Sequence, residues 1–382
     1  MDKNTICVHS GTFIDSEMKG RTTPIYPSTS YAYLDMEHKR YPRYFNIPNQ
    51  GAVVKKVAQL EGAETGVLFG SGMAAISTAM LSQVKQGDHV ILQKELYGGT
   101  IAFVQSELPR CGVEYTFTEG MEVADFEAAI RPNTRLIHIE TPSNPLLTLV
   151  DIEAIAQLAK DHGITTMIDN TFASPINQQP HRLGIDIVVH SATKYLGGHS
   201  DICAGIALCS EQKAEAIYLS AKNFGGSINA QSASLLERSL KTLNLRVQQQ
   251  NHNAQYLAEA LEAHEMIQHV YYPGLASHPQ HELAKKQMQG FGGMLTFELA
   301  QGIDNQAYQE ALKLVAPSMS LGGVESTVCS PALTSHAAID EATRQAMGIS
   351  HQMLRFSVGI EDAPDLLADL NQAFQMVVMA HA

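Results

Sequence analysis

The sequence predicts an α/β protein in which a large domain on a mostly parallel sheet is followed by a smaller α+β domain. Three observations predict it. Between residues 61 and 235, short apolar runs alternate with helical patterns. After 235 that rhythm gives way to a long helical stretch and a few separated strands. The first sixty residues follow neither pattern. At 382 residues the chain suits two domains better than one.

Taken in order, residues 1–60 read as an irregular arm, interrupted by Pro24, Pro27, Pro42 and Pro48. A segment of this kind cannot build its own core and is expected to lie against a neighbouring surface. Residues 61–235 form the expected sheet domain. Apolar runs at 66–69, 89–92, 113–117, 136–139, 165–168 and 185–189 read as buried strands. The clearest helix opens at Asp151 as N-cap, carries Ile152, Ile155, Ala156 and Ala159 at helical spacing, and closes at Gly163. Strand, helix, strand in this order implies parallel pairing, with ligands bound beyond the carboxyl ends of the strands. Residues 236–382 form the smaller domain. Its landmarks are a helical stretch over 233–264, strands at 294–297 and 354–358, and a final helix from about 365.

Composition narrows the function. Lys and Arg number 26 against 39 Asp and Glu, a formal charge of −13, which argues against a general nucleic-acid or anionic-membrane binder. No apolar run of about eighteen residues appears, so no membrane span is expected. The opening Met1-Asp2-Lys3-Asn4-Thr5-Ile6 has no apolar signal core. Five scattered cysteines without a Cys-x-x-Cys pair disfavour a metal centre or a disulfide framework. The expected setting is the cytoplasm.

Two constellations carry chemistry. Gly70-Ser71-Gly72-Met73-Ala74-Ala75 joins a strand to a helix, and the N–H groups of that helix start suit a phosphate. The same letters satisfy the dinucleotide fingerprint, with Glu95 downstream for a ribose, so an NAD-dependent dehydrogenase is a competing reading. The second constellation lies at two strand ends, Asp169-Asn170-Thr171-Phe172 and His190-Ser191-Ala192-Thr193-Lys194-Tyr195. One sheet edge would then hold a carboxylate, hydroxyls, an amine and an anion site. Pyridoxal 5'-phosphate (PLP) needs all of them: an amine for the Schiff base, a carboxylate for the pyridine nitrogen, and hydroxyls with N–H groups for the phosphate. Each has a plainer alternative, such as local backbone bonding by Ser191 and Thr193. A nicotinamide site explains none of them.

The segment 191–201, Ser-Ala-Thr-Lys-Tyr-Leu-Gly-Gly-His-Ser-Asp, closely resembles the cofactor-lysine segment of the transsulfuration family of PLP enzymes. The likeness continues through Glu140-Thr141-Pro142-Ser143-Asn144-Pro145, Ser320-Leu321-Gly322-Gly323-Val324-Glu325-Ser326 and Leu354-Arg355-Phe356-Ser357-Val358-Gly359. It spans essentially the whole chain in the expected order.

The resemblance implies the PLP-dependent transferase fold (fold type I) and a set of roles. Lys194 would carry the cofactor and shuttle protons, Asp169 would keep the pyridinium charged, and Tyr97 would stack on the ring and assist proton transfer. Gly72, Met73, Ser191 and Thr193 would bind the phosphate. Asn144 would touch the ring's phenolic oxygen and border the substrate with Ser320 and Glu325. Arg355 would grip the substrate carboxylate. Tyr41 and Arg43 would reach from one subunit into its neighbour's phosphate site, within a homotetramer built as a dimer of dimers. No metal is expected.

The implied activity is γ-elimination or γ-replacement on homoserine-derived sulfur amino acids, of the cystathionine γ-lyase or γ-synthase type. Methionine γ-lyase, cystathionine β-lyase and O-acetylhomoserine sulfhydrylase are the alternatives within the family. Gly99 stands where methionine γ-lyases carry a cysteine, which disfavours that activity. Two further departures bear on specificity. Arg40 stands where cystathionine enzymes often place an acid, and one residue is inserted in Asn46-Ile47-Pro48-Asn49.

Overall fold

The computed structural model describes residues 1–334, 337 and 341–381. They fall into two compact units, Met1–Thr141 with Val150–Asn244, and Pro142–Leu149 with Leu245–Ala382.

The first unit is built on seven strands: β1 (Thr65–Phe69), β2 (His89–Leu92), β3 (Glu114–Phe117), β4 (Thr134–Glu140), β5 (Thr165–Asp169), β6 (Ile187–His190) and β7 (Gly205–Cys209). Their order across the sheet is β1-β7-β6-β5-β4-β2-β3. Strand β7 runs antiparallel to β1 and β6, and the remaining pairs are parallel. Since β1 and β6 both oppose β7, they share a direction. The carboxyl ends of β1, β2, β4, β5 and β6 therefore leave by one edge. Asp169 registers with Glu140 on one side and Val189 on the other.

All six strands expected in this region form. Strand β7 was not expected, because its five residues follow a loop and open on a glycine. Behind the sheet, helix Gly72–Leu81 buries Ala75, Ile76, Ala79 and Met80 in the core that holds Val67, Phe69, Leu92 and Val189. Helix Ile152–Asp161 forms as its spacing predicts. Ala154 N–H donates to the Asp151 side chain (3.0 Å). Gly163 takes a positive φ of 64°, and Ile164 N–H returns to Ala159 O (2.8 Å), a Schellman closure.

The first sixty residues are not uniformly irregular. Helix Pro48–Glu61 buries Ala52, Val53, Val57 and Leu60. Pro48 stands at the first position of this helix, where the missing N–H costs nothing, so it starts a helix instead of interrupting one. Between Ser10 and Ile47 the chain has a single 3-10 turn, Pro42–Tyr44, as its regular structure.

The second unit carries a five-stranded sheet, β8 (Ile267–Tyr271), β9 (Met294–Leu299), β10 (Ala316–Pro317), β11 (Thr327–Cys329) and β12 (Met353–Ser357), in the order β10-β11-β12-β9-β8. Helix Ala363–His381 packs Leu366, Leu370, Phe374 and Val377 against it. The helical stretch expected over 233–264 is two helices, Ala230–Leu240 and Leu243–Glu262. At their junction Thr242 turns its N–H and hydroxyl onto Ser239 O (3.2 and 3.3 Å), local bonding that competes with a continuous helix. The expected boundary at 235 lies inside the first of these helices; the compact units divide at Asn244. Segment Pro142–Leu149 joins the second unit through Thr296 Oγ1 on Pro145 O (2.7 Å) and paired bonds between Leu149 and Gln280 (2.7 Å each). No helix among the described residues is long and apolar enough to cross a membrane.

Candidate active site

At the carboxyl edge of the first sheet, Ser71 caps helix Gly72–Leu81 by accepting Ala74 N–H (3.1 Å). The Gly72 and Met73 amides belong to the first turn, whose N–H groups have no partner four residues back. The turn lies close to the end of β6: a Cβ on Gly72 would stand 2.8 Å from Ser191 Cβ and 2.9 Å from its hydroxyl. On the opposite side, a Cβ on Gly205 would stand 2.1 Å from Ser71 O. Glycine at both positions lets β7, the turn and Ser191 converge.

Asp169 ends β5. Thr171 N–H donates to its Oδ1 (2.9 Å), and Ser191 N–H donates to Thr171 Oγ1 (2.8 Å), so the ends of β5 and β6 are tied through Thr171. Burial pushes the Asp169 carboxyl above the ordinary Asp range, opposed by the Thr171 bonds and the charge of His190. Lys194 is half-buried four residues beyond the end of β6, its N–H on Ser191 O (3.1 Å). The Thr193 hydroxyl donates to Ala204 O (3.2 Å) and accepts Ala204 N–H (3.0 Å), so it bonds to backbone across the following loop and not to the local backbone of its plainer reading. Its one proton would have to turn from Ala204 to meet a phosphate.

Tyr97 stands exposed at the start of helix Gly98–Arg110. Its N–H is held by Glu140 Oε2, a contact not anticipated from sequence. The available signal was an acid ending an apolar strand on the ligand edge. A Cβ on Gly99 would lie 2.5 Å from Tyr97 Cε1, so glycine there leaves room for the ring. Tyr41 and Arg43 lie on the surface, with the Arg43 guanidinium 5.7 and 5.2 Å from the Tyr41 and Tyr44 ring centres and its Nη1 on Lys222 O (2.5 Å). Asn46 closes this loop. It accepts Tyr41 N–H (2.9 Å), donates to Lys39 O (2.8 Å), and its carbonyl accepts Arg40 Nη1 (2.9 Å).

These residues fit PLP by their chemistry. A buried carboxylate under desolvation suits a ring N–H, which would pair it, and the Gly72 turn with Ser191 offers amides and a hydroxyl to a phosphate. The dinucleotide reading fails on topology. Four strands separate β1 from β2, so Glu95, which follows β2, belongs to no β1–helix–β2 unit beside the Gly70-Ser71-Gly72 turn.

In the second unit, buried Arg355 lies on β12. Its Nη1 donates to Asn144 Oδ1 (3.0 Å) and its Nη2 reaches towards Ser320 O (3.5 Å). Ser320 adopts a positive φ of 79°. Among the described residues no carboxylate pairs with Arg355, so the strand-end salt bridge that was its plainer reading is not made. Ser326 is fixed by Glu361 (2.6 and 2.9 Å), and Glu325 beside it is exposed.

The Cys/Met metabolism PLP-dependent enzyme family matches residues 4–375. A cystathionine gamma-lyase of Bacillus subtilis (strain 168) is 42% identical, over 99% of this chain and 100% of that protein. A cystathionine beta-lyase of Lactococcus lactis subsp. cremoris (strain MG1363) is 41% identical, over 97% and 98%. The crystal structure of cystathionine gamma-lyase from Lactobacillus plantarum complexed with L-serine is similar with a TM-score of 0.95 and 39% identity, covering 99% of both chains. Matched along almost its full length in sequence and in fold, the chain is an enzyme that uses pyridoxal phosphate and belongs to the Cys/Met metabolism PLP-dependent enzyme family.

Proposed function

We propose that this enzyme catalyses γ-elimination from cystathionine, with γ-replacement on a homoserine ester as the second reading. The observation that carries the substrate class is Arg355. A buried guanidinium held by a side-chain amide and a backbone carbonyl, with no carboxylate paired to it among the described residues, suits the α-carboxylate of an amino acid. Exposed Glu325, on the loop that follows Ser320, offers a carboxylate to the distal ammonium group of cystathionine. The relatives named as cystathionine lyases support a thioether substrate.

When bound, PLP supplies an electron sink that stabilises negative charge at the substrate's Cα. Lys194 holds the cofactor through its amine and moves the protons at Cα and Cβ. Asp169 keeps the proton on the ring nitrogen. The Gly72 and Met73 amides and the Ser191 hydroxyl bind the phosphate, with Thr193 bracing that loop through Ala204. Tyr97 would contact the bound ring and assist proton transfer. Asn144 orients Arg355.

Arg40 favours the second reading, since a cation beside Tyr41 suits an anionic leaving group. In the structure its guanidinium is tied to Asn46 O, which draws it towards its own loop. The arm also supports a shared site. Phe13, Ile14, Ile25, Tyr33, Leu34 and Met36 are exposed, and a second subunit would cover them. In this reading the enzyme is a cytoplasmic homotetramer, a dimer of dimers, with Tyr41 and Arg43 at the partner's phosphate.

Product analysis tests the activity. Cystathionine should yield cysteine, ammonia and 2-oxobutyrate. Homocysteine with pyruvate would mean β-elimination and overturn the first reading. Cystathionine formed faster from O-succinylhomoserine and cysteine than it is consumed would establish the second.

A further inference from the structure

The loop that carries Ser320 and Glu325 leaves the second sheet after β10 and returns to it at β11. An exposed side chain on a surface loop is ordinarily poorly placed, because loops are the more mobile parts of a fold. Here the backbone on both sides of Glu325 is held. Ahead of it, Val324 O accepts Ile360 N–H (2.9 Å). Behind it, Ser326 N–H, the far half of the peptide bond that Glu325 begins, donates to Glu361 Oε1 (2.6 Å). Both peptide planes flanking Glu325 are therefore fixed, and with them its two soft dihedrals. The anchors are consecutive residues of the segment leaving β12, the strand of Arg355.

Glu361 does more than accept one amide. Its Oε2 accepts the Ser326 hydroxyl (2.9 Å), whose oxygen in turn accepts Gly359 N–H (2.9 Å). Ser326 is 1% exposed, so removing the carboxylate would leave a buried N–H and a buried hydroxyl proton unmet. A Cβ on Gly359 would overlap Val324 O and Glu361 Oε2, so glycine there lets the two segments close. Helix Leu243–Glu262 braces them from one side. Asn253 Nδ2 donates to Gly359 O (3.1 Å) and Glu361 O (2.7 Å), and Gln250 Nε2 donates to Gly323 O (2.8 Å). Closing the loop could be left to these neutral amides. What Glu361 alone among these side chains holds is the peptide bond of Glu325.

We infer that Glu361 is a positioning residue for substrate selection: by holding the Glu325–Ser326 peptide, it aims the Glu325 carboxylate at the distal ammonium group of an amino-acid thioether. It touches neither substrate nor cofactor and acts through Glu325. The inference rests on the reading of Glu325 as the carboxylate for that ammonium group.

The test compares cystathionine with S-(2-carboxyethyl)-L-homocysteine on the holoenzyme. The analogue keeps the thioether and the distal carboxylate and lacks only the distal ammonium. The ratio of the two kcat/KM values measures recognition of that group. Glu361→Gln is nearly isosteric but has one acceptor oxygen where two are used, and in it the ratio should fall about fivefold, the worth of one hydrogen bond. The loss should lie in KM for cystathionine, with both constants for the analogue near wild type; mere loosening of the fold would lower both substrates alike. On a Glu325→Gln background, Glu361→Gln should add nothing. If Glu325→Gln lowers the ratio and Glu361→Gln does not, or if Glu361→Gln costs the same factor with Glu325 already replaced, the positioning inference alone is overturned. If Glu325→Gln leaves the ratio unchanged, the reading of Glu325 fails and takes the inference with it. Should Glu361→Gln not fold, Ser326→Ala, which removes the hydroxyl between Glu361 and Gly359, carries the same test, and a wild-type ratio there overturns the inference.

Discussion

The backbone N–H of Tyr97 donates to Glu140 Oε2 across 2.8 Å. A buried carboxylate at the end of β4 thus sets the position of an exposed ring carried by a separate loop. The end of β4 is itself held: Gln93 accepts Glu140 N–H (2.8 Å) and donates to Glu140 O (2.7 Å). Tyr97 is the most solvent-exposed of the residues assigned to proton transfer, and its anchor is among the least.

Replacing Glu140 by Gln tests the anchor. It exchanges a charge-assisted bond for a neutral one, a difference of about 1 kcal/mol. If it is expressed in the proton-transfer step, kcat should fall about fivefold with KM little changed. An unchanged kcat in steady-state assays would show that Tyr97 needs no such support.

Borohydride reduction of the holoenzyme should fix the cofactor to Lys194 and abolish activity. Peptide mapping by mass spectrometry reads the site. Label on any other lysine would remove Lys194 from the assignment.

Arg355→Ala should raise KM for amino-acid substrates strongly while sparing the cofactor spectrum. Truncating one partner of a buried charge pair costs about 2–5 kcal/mol. Arg355→Lys should recover little, because an ammonium cannot reproduce the bidentate fork. Kinetics on both variants decide it. A wild-type KM in Arg355→Ala would place the carboxylate elsewhere.

Asp169 should leave a mark on the stability of the cofactor-free enzyme. Its folded pKa is raised above the ordinary 3.8. The folded chain therefore binds more protons than the unfolded chain above that pH, and stability falls as pH rises towards the folded pKa. Asp169→Asn removes this titration. The cofactor-free variant should melt above wild type at neutral pH, by about 1 °C per kcal/mol relieved, and the gap should close near pH 4. Its activity should be lost. Melting curves across that range check it, and a gap independent of pH would contradict the assigned cause.

Mixing an Arg43→Ala chain with a Lys194→Ala chain should recover activity if the arm serves the neighbouring subunit. In a mixed dimer one site combines intact Lys194 with intact Arg43, and the other is doubly impaired. Activity should approach half of wild type per mixed dimer. Tagged chains must verify exchange, and verified hybrids no more active than their parents would confine Arg43 to its own subunit.

The sequence made the carboxyl edge of the sheet legible because its strands are continuous apolar runs and its chemistry sits at their ends. Lys194, Asp169 and Ser191 stand on that edge, as the alternation of strands and helices implied. Strand β7 escaped because five residues opening on Gly205 carry too little pattern. Helix Pro48–Glu61 escaped because proline was read as a breaker where it serves as a starter. Contacts such as Glu61 with His190, 129 positions apart, have no local signature; tertiary folding alone creates them.

Segment Pro142–Leu149 imposes an order on synthesis. It leaves the ribosome well before Leu245, yet Arg355, Thr296 and Gln280, with which it hydrogen-bonds, lie beyond that residue. The second unit is consequently not a contiguous fragment of the gene. A polypeptide cut to begin at Leu245 would lack Asn144 and leave the Arg355 guanidinium without its side-chain acceptor. Swapping C-terminal halves between relatives would likewise pair one protein's arginine with another's strap, so recombination points for altering specificity must carry residues 142–149 along with the C-terminal half.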